Sequence, residues 1–275
     1  MQKDSVRIFS YLPNPRVWKA TIAGRLCGVA VEVRGTKTDK IKEWLWDFDA
    51  RPLSEVDPDA LKGFARVSRR GFADSVLYKT DAFLLAHPYG TVPAAFSADG
   101  QHGVFESNSI MRLVARLGTD RFPLFGTGPF EASRVDSFLD AGLGFGHDVQ
   151  RYLLSLFSGK LESHVQASAQ QAANNYLSGI ENALGNGRTA IVGDGITLAD
   201  ICFACEVALL TTEQRFADLV RSSAHEPVLN TTLWASFPRS LAHFQRLAAH
   251  PAFATDLSQY ADRYDSMLVG PGKLS

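Results

Sequence analysis

The stretch "GTVPAAFSADGQHGVFESNSI", residues 90–110, decides how this chain is organised. Two short apolar runs, 92–96 and 103–105, flank a turn containing Asp99-Gly100, a pair favoured in hairpins. Ile110, Leu113 and Val114 then repeat at helical spacing, so the second strand passes directly into a helix. Glu106-Ser107-Asn108 occupy the junction. Read as a cap, Ser107 bonds a first-turn amide and Glu106 balances the helix dipole. The same free amides can instead hold a carboxylate or phosphate, and the Glu106 carboxylate can accept from an ammonium. A ligand carrying both charges suits the pair. Upstream, Val92 precedes Pro93 at the entry to a strand, where proline is tolerated. A cis Val92–Pro93 bond would turn the Val92 N–H and C=O outward like an open strand edge, on which a peptide-like ligand could pair. Cis is the minority form, so the proline alone does not establish it.

Working toward the N-terminus, "SVRIFS" reads as a strand and "VAVEVRG" as a second one, with valines at alternate positions. Between them, Trp18, Ile22 and Leu26 repeat every four residues, Ala23 and Cys27 widen the stripe, and Gly28 stops the helix. "SYLPNPRVWKA" joins the first strand to this helix and offers Ser10, Tyr11, Asn14 and Arg16 as polar candidates. A hydroxyl or amide here can donate to an anion such as a thiolate and lower its pKa. Asn14 also suits the N-cap of the helix, a purely structural duty.

The interval from about 35 to 88 carries Trp44, Trp46, Phe48, Phe64 and Phe72 among many charges. It is too long for a structureless loop in a compact domain, and two short helices are expected, near 41–48 and 58–67. It is read either as an ornament whose aromatics pack on the parent domain or as a lid over a substrate pocket. From about residue 127 strand signals nearly stop. Four segments read as helices: "GPFEASRVDSFLDAGLGFGHDVQRYLLSLF", "ESHVQASAQQAANNYLSGIENALG", "TLADICFACEVALLTT" and "FPRSLAHFQRLAAH". The third opens with a capping-box variant, Thr197 with Asp200, assigned to folding. Cys202 and Cys205 form a C-x-x-C inside that apolar run and read as buried structural cysteines rather than a redox or metal pair. The fold class expected is α+β, a small mixed unit over 1–118 followed by an all-helical one over 127–265.

Composition narrows the function. A formal net charge of -1 argues against nucleic-acid binding, which needs a basic face. No apolar run is long enough to span a bilayer, and no secretory signal is evident, so a cytoplasmic protein without membrane association is expected. Three cysteines do not make a disulfide framework. No metal site is expected.

The strand-helix-strand opening, "GTVPAAF…GVFESNSI" and "GITLADI", in that order, resemble the glutathione transferase superfamily over most of the chain. Within it, "PRVWKATIAG", "FESNSI" and "FPRSLAHFQRLAAHPAF" are most similar to the transferase-like region of elongation factor 1B gamma subunits and to related bacterial transferases. The resemblance implies a thioredoxin-like first domain, with an insertion near 35–88, that binds glutathione as co-substrate. It implies that Val92, beside cis-Pro93, pairs with the cysteinyl backbone, and that Glu106, Ser107 and Asn108 hold the γ-glutamyl end. Family members place a Tyr, Ser or Cys near the thiolate. Here that position falls near 14–16, which holds no hydroxyl or thiol, so Asn14 is the expected donor, with Ser10, Tyr11 and Arg16 as alternatives. A second-substrate pocket with polar contacts from His147, Arg151 and Tyr152 is expected, although His147 reads first as a surface helix histidine. The activity implied is glutathione transfer to an electrophilic, apolar, aromatic small molecule by a homodimer. Conjugation in detoxification and ether cleavage in aromatic compound degradation both fit. A non-catalytic transferase-fold interaction module is the alternative.

Overall fold

The computed structural model describes residues 5–68, 75–118 and 123–268, the side chains of 265–268 excepted. The chain divides into two compact units, residues 1–122 and 123–275. In the first, β1 (Ser5–Tyr11) leads into α1 (Pro15–Cys27) and then β2 (Ala30–Thr36). Asn14 caps α1 by accepting from the Arg16 amide at 3.0 Å, and Pro15, which has no N–H to orphan, opens the helix. Gly28, at φ 72°, takes the left-handed conformation that ends it. β2 lies parallel to β1, with Ser5 opposite Ala30 and Tyr11 opposite Thr36.

The interval that follows builds a second sheet rather than two helices. After a single 3-10 turn at Ile41–Glu43 come β3 (Trp44–Trp46) and β4 (Arg51–Pro52). A further 3-10 turn, Leu53–Glu55, precedes the four-residue α2 (Pro58–Leu61), β5 (Ala65–Val67) and β6 (Val76–Lys79), in the sheet order β4-β3-β6-β5. The expected helix near 41–48 thus gives way to a strand, and that near 58–67 to one short turn of helix and a strand. Aromatic residues favour a pleated, half-buried surface, and here they have one to pack on. Trp46 meets Phe9 of β1 edge-on with ring centres 5.6 Å apart, and Phe48 meets Phe96 at 5.8 Å. The Trp46 indole N–H donates to the Ile41 carbonyl at 3.1 Å, so its polar end is satisfied while the ring is buried. Trp44, Trp46 and Phe48 thus pack on the strands of the first sheet; Phe72 lies outside the described residues.

Thr80 caps α3 (Asp81–Ala86), and the chain returns to the first sheet as β7 (Ala94–Ser97), β8 (Gly103–Phe105) and α4 (Ser107–Leu117). That sheet has the order β2-β1-β7-β8, with β7 antiparallel to both neighbours. Its hairpin is the one the Asp99-Gly100 turn predicts.

The second unit consists, among the described residues, of helices and 3-10 turns. They are α5 (Pro129–Phe157), α6 (Ser163–Ala183), α7 (Leu198–Leu210), α8 (Ala217–Ser222), α9 (Thr231–Ser236), α10 (Pro238–Ala249), α11 (Pro251–Leu257) and α12 (Ala261–Leu268). α5, α6, α7 and α10 are the four read from the sequence. α7 is almost wholly buried and apolar on every side, as a central helix must be. Its Thr197–Asp200 capping box forms as expected, and Asp200 reaches further, accepting from the Ile191 amide at 3.0 Å and from His243 Nε2 at 2.8 Å. Cys202 and Cys205 are fully buried, in keeping with the structural reading.

Candidate functional site

Strand register brings the three sequence motifs to one end of the first sheet. Phe9 pairs with Ala94, and Ala94 with Phe105. Tyr11 and the first turn, Val92-Pro93, and Glu106-Ser107 all continue from those pairs in the same direction. The Val92–Pro93 bond is cis, and Val92 precedes the paired residues of β7, so its N–H and C=O stand outside the ladder.

Glu106, not Ser107, occupies the N-cap position of α4, and Ser107 is the first helical residue. No side chain caps this helix. The expected Ser107 cap is therefore replaced by a start whose first-turn amides have no intrahelical acceptor. Glu106 sits at φ 66°, ψ 121°, a region that L residues rarely adopt and that costs about 1–3 kcal/mol. Its side chain is exposed and makes no hydrogen bond or ion pair with the described residues.

Beneath this start lies a cation that sequence reading missed. Lys19 is 1% exposed, yet its ammonium donates to Asn108 Oδ1 at 2.7 Å and reaches Ser107 Oγ at 3.4 Å. The signal was present: Lys19 is one turn before Ala23 and two before Cys27, on the line that widens the buried stripe of α1. A buried ammonium needs acceptors, and α4 supplies them.

At the first turn the candidates separate. Asn14 and Ser10 are both fully buried, and Asn14 Nδ2 donates to Ser10 Oγ at 3.1 Å while Asn14 Oδ1 holds the Arg16 amide. Asn14 is thus engaged on both ends of its amide in holding the turn. Tyr11 and Arg16 are half-buried and keep access to solvent.

In the second unit, Tyr152 is a core residue rather than a pocket contact. It is fully buried, and its hydroxyl donates to Glu213 Oε2 at 3.0 Å; burial first, then the Glu213 charge, holds the phenol far above its ordinary range. His147 and Arg151 are exposed on α5, with His147 Nδ1 3.9 Å from Asp148 Oδ1. Among the described residues no group of three His, Cys, Asp or Glu could hold a metal ion, and no helix is long and apolar enough to cross a membrane.

Comparison with known proteins agrees with this layout. Residues 150–251 match the family model for the glutathione S-transferase C-terminal domain. Elongation factor 1-gamma from Prunus avium is 32% identical over 143 residues, which are 50% of this chain and 32% of that protein. The chain therefore spans about a third of the length of that curated relative. Glutathione transferase F2 from Populus trichocarpa superposes with a TM-score of 0.61 at 17% identity, over 94% of this chain and 99% of that one. A glutathione S-transferase from Methylobacterium radiotolerans, solved in complex with glutathione sulfonate, does so at 0.59 and 20% identity, over 92% and 94%. The chain thus has the fold of the glutathione transferases over nearly its whole length, and residues 150–251 of its second unit match their C-terminal domain.

Proposed function

We propose that the end of the first sheet binds glutathione and that the protein directs its thiolate at an electrophilic, apolar small molecule. The observation that carries this reading is Glu106: an exposed carboxylate in a costly backbone conformation, without a partner among the described residues, at a helix start no side chain caps. Glu106 would accept from the γ-glutamyl ammonium, and the amides of Ser107 and Asn108 would take its carboxylate, with the Lys19 charge behind them. Val92 would pair with the cysteinyl backbone beside cis-Pro93. That pairing aims the thiol toward the first turn, where Tyr11, flanked by Arg16, is the better-placed donor and Asn14 holds the turn. A donor at the thiolate lowers its pKa, and holding both reactants supplies the remaining acceleration. An aromatic electrophile and a homodimeric enzyme complete the proposal, with conjugation and ether cleavage both compatible.

A second reading, a non-catalytic interaction module, is favoured by one observation: the hydroxyl of Ser10 and the amide of Asn14 bond each other below the surface. The named relative is an elongation factor subunit, which points the same way. Calorimetric titration with glutathione separates the two from a protein that binds nothing. Wild type should bind in the micromolar to millimolar range, with Glu106→Ala and Ser107→Ala each weaker. Absence of binding at millimolar glutathione removes the transferase reading. Binding with no shift in thiol ionisation, followed through the thiolate absorbance, favours the module. Tyr11→Phe against Asn14→Ala then assigns the donor.

A further inference from the structure

The edge at Val92 is reached through a turn that the second sheet grips. We infer that Lys79, the last residue of β6, is a positioning residue for ligand binding: its ammonium fixes the 87–91 turn so that the Val92 edge is presented to a peptide ligand. This rests on the glutathione reading above and assigns to the second sheet a part in it.

Lys79 is 8% exposed, and its Nζ donates to the Gly90 carbonyl at 2.6 Å. The ammonium also lies 4.7 Å from the centre of the Trp46 ring, on β3 of the same sheet. Gly90 is seated against it. At φ 58° the residue must be glycine or strained, and a Cβ there would stand 3.0 Å from Leu84 Cδ2 and 3.3 Å from Lys79 Nζ. The Gly90 amide closes the turn on the His87 carbonyl at 2.8 Å. One residue on, Thr91 Oγ1 meets His87 Nε2 at 3.1 Å, and the His87 ring stacks on Phe105 with centres 4.9 Å apart. His87 therefore touches the residue before Val92 and the residue before Glu106. Lys79 and His87 together tie both ends of the proposed cradle to β6 and α3.

The chemistry of Lys79 favours a role beyond stability. One buried ammonium with a single carbonyl and a ring face as partners is poorly compensated for its lost hydration, and burial pulls its pKa below the ordinary lysine value. Replacing it by methionine removes that desolvation cost but leaves the Gly90 carbonyl without its donor, two effects of opposite sign on stability, while the turn loses its anchor outright.

The test uses the whole protein with Lys79→Met and Thr91→Val, two ligands and a melting curve. The ligands are glutathione and its analogue methylated on the cysteinyl amide nitrogen, which cannot donate to the Val92 carbonyl. Wild type should prefer glutathione clearly. Lys79→Met should bind glutathione roughly tenfold more weakly, a larger loss than its change in melting temperature accounts for, because the turn that presents the Val92 edge is no longer fixed. It should also lose most of the preference over the methylated analogue; Thr91→Val should do the same to a smaller extent. The inference is overturned if Lys79→Met keeps wild-type affinity, or loses affinity for both ligands equally. It is equally overturned if binding falls only in step with melting temperature. Should Lys79→Met fail to fold, Thr91→Val decides alone, with an unchanged preference ending the inference. No binding of glutathione by wild type overturns this and the proposed function together, whereas wild-type binding with unaltered variants overturns this alone.

Discussion

The two units treat buried and strained acids in opposite ways. In the helical unit three buried carboxylates, Asp200, Glu181 and Glu213, are engaged by backbone donors. Asp200 accepts from the Ile191 and Thr197 amides, the Thr197 hydroxyl and His243. Glu181 of α6 accepts from the amides and side chains of Arg239 and Ser240, and so caps α10, whose own N-cap residue, Phe237, cannot. Glu213 takes the Val228 and Leu229 amides and the Tyr152 hydroxyl. Glu106 of the mixed unit has none of this and holds an unfavourable φ besides. An acid surrounded by backbone donors ties helix starts and loops together; an acid held under strain, facing solvent, is available to something else. Counting donors around a carboxylate separates the two roles before any ligand is seen.

Breaking this contrast should begin with Asp200. Asp200→Ala leaves two buried amides and His243 without an acceptor and should cost about 3–5 kcal/mol, read by chemical denaturation. Ligand affinity of the protein still folded should not change; a variant of near wild-type stability would show that the network is decorative.

Titration offers a second test, of opposite sign in the two units. Burial first, and Lys79 next, hold His87 neutral, with its pKa lowered to about 4. Its contribution to stability is complete above the ordinary histidine value and disappears as pH falls through about 4. Burial raises Glu213 to about 7 despite its three donors. That contribution is complete below the ordinary glutamate value and is lost as pH rises through about 7. Each is on the order of 3 kcal/mol. Between pH 7.5 and 4.5, slowly exchanging amides around 83–94 should lose protection while those around 211–230 gain it. Movement in the same direction in both regions would dismiss the assignment.

Glu181→Gln is expected to cost about 2 kcal/mol, since a neutral amide accepts less strongly and presents an N–H to the start of α10. Burial raises the Glu181 pKa, but Arg239 and Ser240 together bring it below the usual range, so most of this loss should vanish in acid. Glu106→Gly sharpens the contrast from the other side. It should stabilise by about 1 kcal/mol through relief of the positive φ while glutathione binding falls tenfold or more. A stability loss there would place Glu106 with the structural acids.

The fold was legible where periodicity had one interpretation. The alternating valines of β2, the four-residue repeat of α1 and the Asp-Gly hairpin form as read. The 41–67 interval was not, because a run such as Trp44-Leu45-Trp46 supports either helix or strand until the Phe9 and Phe96 faces it packs on are known. At the proposed site, Glu106 and Val92 were visible because their neighbours, a helix start and a proline, are local in sequence. Lys79 and His87 were not, since their meaning lies in contacts with Gly90, Thr91 and Phe105, each made across a turn or between elements. For Asn14, spacing gave its position in the first turn but not the Ser10 hydroxyl that engages its amide.

The cysteines carry a consequence for how the protein meets oxidised thiols. Cys27, Cys202 and Cys205 are all fully buried, and Cys27 Sγ points at the Val114 carbonyl, 3.6 Å away. A disulfide such as oxidised glutathione therefore finds no sulfur to exchange with while the chain is folded. The native protein should resist alkylating dyes and S-glutathionylation alike, and a single cysteine introduced on its surface would be labelled selectively, with the three native thiols reporting only unfolding.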